Sequence, residues 1–80
     1  MNLEIAFAAG LTAKGYKESS PMTRHRVFVK LLGNGEFDRY FVGRSGALRH
    51  GRNLGESIPC GEGFRRTILA AGQRRLEEEF

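Results

Sequence analysis

The strongest constraint on the fold is a Gly-Asn-Gly turn at residues 33–35, which separates two runs of alternating side chains. Residues 24–32 and 36–43 both combine β-branched or aromatic side chains with charged ones, a pattern typical of strands. Glycine and asparagine tolerate the backbone conformations that tight hairpin turns require. The sequence therefore predicts an antiparallel β-hairpin over residues 24–43.

The length of the turn decides which residues of the hairpin lie opposite each other. A three-residue loop with Gly35 in the left-handed region places Lys30 opposite Asp38, whereas a two-residue loop places Lys30 opposite Arg39. Like charges directly opposite each other destabilise a strand pair. We therefore expect the three-residue loop, which also pairs Phe28 with Tyr40.

Side-chain alternation gives the hairpin two different faces. In the first strand, Val27, Val29 and Leu31 share one face, which we expect to be the inner one. Phe28 and Tyr40 then lie on the outer face beside Arg26 and Lys30. The predicted core consists of Val27, Val29, Leu31, Phe37, Phe41, Leu48, Phe64, Ile68, Leu69 and Leu76.

Two segments carry helical patterns. Residues 62–79 have an apolar stripe at four-residue spacing, and Gly72 in its middle allows another backbone to approach closely. Residues 3–14 fit either a strand or a helix by periodicity. Their four alanines, Asn2 as a possible N-cap and Gly15 as a possible stop favour a short helix.

The remaining segments complete an α+β fold of the order α-β-β-β-α. Residues 15–23 form a predicted loop, residues 47–52 a short third strand, and residues 53–61 an irregular connection. We expect a three-stranded antiparallel meander packed against the C-terminal helix. With 80 residues, the chain predicts one small domain, residues 1–80, with a modest core.

Cysteine content and the N-terminal segment bear on compartment. A single cysteine, Cys60, permits no internal disulfide, which favours a reducing cytoplasm. No lysine or arginine precedes Lys14, unlike the charged start of a signal peptide, and no apolar run approaches the length of a membrane span. The sequence therefore predicts a cytoplasmic chain with no membrane partner.

The arginine distribution is the feature that points to function. The chain has a formal net charge of +4, and residues 39–54 hold four arginines, one histidine and no acid. Arginine forks suit phosphate, and phosphate neutralisation dominates non-specific nucleic-acid affinity. We therefore predict a nucleic-acid-binding surface with base stacking on Phe28 and Tyr40. Its cations are Arg44, Arg49, Arg52, Arg65 and Arg66.

A protein-interaction role is the alternative that the sequence leaves open. Aromatic side chains beside arginines also make binding hot spots, and an open sheet edge pairs readily with another chain. The alternative is a small interaction or inhibitor-like module that docks on a larger protein, or a homodimer formed through an edge strand.

Catalysis is not predicted. The candidate groups Cys60, His25, His50 and Asp38 lie in no recognised nucleophile motif, and one cysteine with two distant histidines fits no usual zinc spacing. The chain also lacks both common glycine-rich phosphate-binding patterns. We therefore expect no enzyme activity, no metal and no cofactor.

Overall fold

The computed structural model describes residues 2–19 and 24–78, which form a five-stranded antiparallel sheet and two helices. The strands lie in the sheet in chain order, and a 3₁₀ turn at Leu54–Glu56 precedes the last one. The elements are α1 (Leu3–Ala13), β1 (Lys17–Glu18), β2 (His25–Leu31), β3 (Phe37–Gly43), β4 (Leu48–His50), β5 (Ile58–Pro59) and α2 (Glu62–Glu78).

The α+β class is confirmed, and the predicted meander forms the centre of a larger sheet. β2, β3 and β4 are its three strands, and two-residue strands extend it at both edges. The expectation that residues 15–23 and 53–61 contain no strand is wrong, because β1 and β5 lie within them. The part of the predicted loop at 20–23 and the predicted helical residue 79 lie outside the described residues.

The hairpin has the register that charge pairing favoured. Lys30 lies opposite Asp38, and Phe28 lies opposite Tyr40. Gly35 adopts a φ of 85°, and its amide donates to the Leu32 carbonyl oxygen at 3.0 Å. The three-residue loop is confirmed, and it holds β2 and β3 together as the longest strand pair of the sheet.

The first segment is a helix, as its composition favoured. The Asn2 side chain caps α1 by accepting a hydrogen bond from the Ile5 amide at 3.1 Å. Lys14 ends the helix, and Gly15 follows with a φ of 94°. The cap at one end and the left-handed glycine at the other delimit α1.

Two glycines bring α1 and α2 into backbone contact. A Cβ atom at Gly72 would overlap the Ala6 carbonyl oxygen and lie 2.8 Å from the Ala6 carbonyl carbon. A Cβ atom at Gly10 would overlap the Ile68 carbonyl oxygen in the same way. The predicted role of Gly72 is confirmed, and Gly10 has the equivalent role on α1.

Both helices pack on one face of the sheet, here called the covered face, and the opposite face is called the free face. The prediction of which face is inner is wrong. Phe28 and Tyr40 are only 1% and 8% exposed, while Leu31 and Phe37 are 63% and 54% exposed. The core on the covered face comprises Phe7, Ala8, Leu11, Phe28, Tyr40, Val42, Leu48 and Ile68, with Phe64 and Leu69 partly buried against it.

Val27 and Phe41 are buried even though they belong to the free face. The two residues lie opposite each other in β2 and β3. They share a shallow groove with Ser19, Arg39 and the segment Arg52–Leu54. These neighbours shield Val27 and Phe41 from solvent, whereas the side chains of the free face at the hairpin end remain exposed.

The covered face accepts charged side chains because other segments supply their partners. Arg26 donates to the Glu18 carboxylate at 2.7 and 2.8 Å. Lys30 donates through Nζ to the Lys14 carbonyl oxygen at 3.1 Å. Both partners come from residues 14–18, outside the hairpin, and both contacts stay exposed to solvent, so these charges do not have to be buried beneath the helices.

Candidate nucleic-acid interface

Three cations line up across the free face. Lys17 of β1 lies opposite Val29, and Val29 lies opposite Arg39 of β3, so these side chains form one row. Arg52 adjoins the row beyond β4, because it lines the same groove as Arg39 and its carbonyl oxygen accepts a hydrogen bond from Arg39 Nη1 at 3.5 Å. The row thus runs from one edge of the sheet to the chain that leaves β4.

The acids of the strands lie on the covered face and are already paired. Glu18 lies opposite Phe28 and binds Arg26. Asp38 accepts hydrogen bonds from Tyr16 and His50, each at 2.5 Å. Within the described strands, the free face therefore carries cations and neutral side chains without a carboxylate.

Exposed apolar side chains adjoin the cation row at the hairpin end. Leu31 and Phe37 lie directly opposite each other on the free face. The Arg39 guanidinium carbon lies 5.6 Å from the centroid of the Phe37 ring, within the range of a cation–π contact. The guanidinium of Arg39 thus lies over an aromatic ring that is half exposed.

A second basic region lies at the other end of the sheet. Arg24 and Arg44 line an open groove with His25, and His25 lies opposite Gly43. Arg24 and Arg44 are both exposed. The free face therefore has cations at both ends, with the shielded Val27 and Phe41 between them.

The five arginines predicted to form one surface are divided by the sheet. Arg49 lies on the free face, where it donates to Ser57 Oγ at 2.8 Å and to the Ser57 carbonyl oxygen at 2.7 Å. Arg44 and Arg52 are exposed, as the prediction requires. Arg65 and Arg66 belong to α2, on the opposite side of the sheet.

The two α2 arginines have partners within the helix layer. Arg65 donates to the Gly46 carbonyl oxygen at 3.0 Å, and its guanidinium carbon lies 4.9 Å from the centroid of the Phe7 ring. Arg66 lies 3.6 Å from the Glu62 carboxylate, one helical turn away. Arg65 therefore connects the start of α2 to the β3–β4 turn, whereas Arg66 pairs within α2.

The predicted stacking residues are enclosed in the core. Phe28 packs among the helix side chains, and Tyr40 lies between His50 and Phe64 with centroid distances of 4.4 and 5.0 Å. Neither ring offers an open face to a base. The expectation of exposed rings at these two positions is corrected by their burial.

Asp38 organises a polar cluster beneath the helices. Burial disfavours its ionised form, but hydrogen bonds from Tyr16 and His50, with the nearby positive charges, outweigh burial and lower the pKa of Asp38. Burial and then the bond to Asp38 raise the pKa of Tyr16. Asp38 is therefore an ionised acceptor that joins the chain after α1 to β3 and β4.

The groups considered for catalysis are only partly brought together. Asp38 and His50 are in contact on the covered face, whereas His25 lies on the free face beside Arg24 and Arg44. Burial raises the pKa of the Cys60 thiol, an effect that Arg65 and Arg49 partly offset. A protonated thiol is a poor nucleophile, so this environment does not activate Cys60.

Residues 2–19 and 24–78 contain neither a cluster of metal-ligating side chains nor a membrane-spanning helix. No group of three or more His, Cys, Asp or Glu side chains there is placed to bind a metal ion. Neither described helix combines the length and the apolar character needed to cross a bilayer.

Comparisons with known proteins add no relative: no family model matches the chain, and no curated protein or solved structure is significantly similar to it. The assignment of function therefore rests on the residues themselves.

Sequence reasoning missed three residues of the free face. Lys17 was placed in a loop, although its neighbour Glu18 could have suggested a pairing with Arg26. Phe37 was assigned to the core, and Arg39 was counted only within the acid-free segment. The missing information was which face of the hairpin the helices cover.

Proposed function

We propose that this domain binds nucleic acid with little sequence preference through the free face of its sheet. Lys17, Arg39 and Arg52 are its phosphate-binding side chains. The observation that carries the proposal is the separation of the strand acids from the cations of the free face. The strand acids are paired on the covered face, and the cation row faces outward.

This separation suits a polyanion for a physical reason. Arginine and lysine side chains that neutralise phosphates release condensed counterions, which drives binding of any sequence. Contacts of this kind position the backbone and carry no base information. A binding role of this kind needs no catalytic step, metal or cofactor, and we propose none for it.

A titration against duplex DNA, duplex RNA and single strands at several salt concentrations tests the proposal. With three phosphate contacts, log affinity for duplex DNA should fall against log salt with a slope of about −2.7. The double variant Arg39→Gln/Arg52→Gln should reduce the slope to about −0.9. The matched control Arg66→Gln/Arg74→Gln removes the same charge from α2 and should retain most of the slope.

The binding results of the two double variants show which surface contacts the nucleic acid. Absence of binding at low salt would refute the function. A larger loss in the α2 double variant than in the free-face variant would move the interface to the helix layer and refute the assigned residues. Thermal melts of both variants show whether a change in binding reflects unfolding.

A protein partner is the second candidate, and the exposed Leu31–Phe37 pair is the observation that favours it. Binding through apolar anchors persists at high salt, unlike phosphate binding. The homodimer through an edge strand has less support, because both edge strands have two residues and Pro59 in β5 lacks an N–H donor. Light scattering at high concentration measures self-association directly.

A further inference from the structure

We infer that the free face prefers single-stranded nucleic acid over duplex, with Phe37 as the platform on which an unpaired base stacks. This inference rests on the proposed function and specifies its substrate class. It is carried by the exposure of the Phe37 ring and by the position of Arg39 beside it.

The Phe37 ring stands on a regular part of the sheet. Phe37 lies opposite Leu31 in the strand register. In the adjacent pair, nearer the turn, the Leu32 amide donates a hydrogen bond to the Glu36 carbonyl oxygen at 2.7 Å. The backbone beneath the ring is therefore held on both sides of the turn. Because this backbone is already ordered, stacking of a base would order only the two side-chain torsions of Phe37.

Arg39 allows a single nucleotide to use both contacts. Its guanidinium carbon lies 5.6 Å from the Phe37 centroid and belongs to the cation row. A base on the ring would place its own phosphate near this guanidinium. Aromatic stacking beside cations that follow the backbone is the usual means of binding single strands without sequence preference.

A duplex cannot make the same contact. Its base faces are stacked on neighbouring base pairs, so an exposed ring meets only edges, sugars and phosphates. Duplex binding would then depend on Lys17, Arg39 and Arg52 alone. Charge complementarity also favours a polyanion over a second copy of this chain, because the second copy would bring the same cation row to the interface.

Fluorescence anisotropy with a labelled oligothymidine, its abasic counterpart and a duplex of the same length tests this inference. Phe37→Leu keeps an apolar side chain and removes the aromatic plane. It should weaken binding of the oligothymidine about five-fold or more and leave duplex binding unchanged. The wild-type protein should also bind the abasic strand about five-fold or more weakly, because that strand keeps every phosphate and lacks bases.

Leu31→Ala is the matched control, because Leu31 lies opposite Phe37 and is at least as exposed but has no ring. It should leave binding of the oligothymidine within about two-fold of the wild type. An equal loss in both variants would assign the pair to apolar contact and overturn the inference. A wild-type dimer that both variants dissociate would assign the pair to self-association, with the same consequence.

The results separate the two proposals. If the protein binds no nucleic acid at low salt, the proposed function fails. If it binds single strands and duplex equally, and Phe37→Leu changes neither, only the single-strand inference fails. Circular dichroism of each variant confirms that the fold is retained.

Discussion

Replacing Gly72 by alanine should destabilise the domain strongly, although alanine is the better helix former. The new Cβ atom would overlap the Ala6 carbonyl oxygen and lie 2.8 Å from the Ala6 carbonyl carbon. It would also lie 3.1 Å from the Gly10 amide nitrogen. All three atoms belong to the α1 backbone, which cannot rotate away as a side chain does.

The magnitude follows from two opposing effects. The gain in helix propensity from glycine to alanine is about 1 kcal/mol. Relief of the overlap requires α1 and α2 to separate, which loosens Ile68 and Phe7 in the core, and overpacking in a core costs about 1–3 kcal/mol or more. Because the new Cβ atom would overlap backbone atoms of α1, we expect a cost at the upper end of this range and a net loss of about 2 kcal/mol in the free energy of unfolding. A domain of this size has roughly 3–5 kcal/mol in total.

Urea denaturation followed by far-ultraviolet circular dichroism measures the loss. The midpoint should fall with an unchanged m-value, and the melting temperature should fall by about 8 °C or more. Gly63→Ala is the matched control, because it makes the same substitution in α2 and its Cβ would meet nothing within 4 Å. It should be neutral or raise stability by up to about 1 kcal/mol.

Equal stability of Gly72→Ala and Gly63→Ala would contradict this prediction. That result would mean that the two helices separate without cost and that their close contact contributes nothing to stability.

Two further predictions concern the sheet. Asp38→Asn leaves His50 facing an amide and should cost about 1–3 kcal/mol at pH 7. Because the folded-state pKa of Asp38 is lowered, the ionised carboxylate stabilises the fold above its unfolded pKa, and this contribution disappears as pH falls through the lower folded value. Urea titrations at pH 7 and pH 3 should therefore show the difference between wild type and variant shrinking in acid, and a constant difference would contradict the role of the charge. Gly35→Ala forces a side chain into a φ of 85° and should lower stability by about 1–2 kcal/mol. Gly33→Ala, where a Cβ would meet nothing within 4 Å, should change it little, and equal melting temperatures for the two variants would refute the strain at the turn.

Local chemistry in the sequence determined the helices and the hairpin. Asn2 and Gly15 delimit α1 by capping and by left-handed geometry, which involve only near neighbours. The register of β2 and β3 follows from Gly35 and from the Lys30–Asp38 pairing, both readable within one hairpin. The close approach at Gly72 was also predictable, because a missing side chain in an apolar helix stripe leaves room for a backbone.

The choice of face was made only by the tertiary structure. Both faces of the hairpin carry apolar side chains, and the free face has more of them, so alternation alone favoured the wrong one. The covered face contains Arg26, Lys30 and Asp38, and residues 14–18 and His50 supply their partners, with the Arg26 and Lys30 contacts at its solvent-exposed margin. Apart from Glu18, these partners are distant in sequence, and no local pattern reveals them.

The candidate site depends on the same choice. With Phe28 and Tyr40 turned toward the helices, Phe37 and Arg39 face outward. Lys17 joins them only because β1 adds to the sheet edge, and a two-residue strand has no sequence signature of its own. The sequence thus determined that the domain is basic and which segments fold locally. Burial of one face beneath two helices decided which cations lie together, because it left Lys17 of β1 and Arg39 of β3 on the uncovered face.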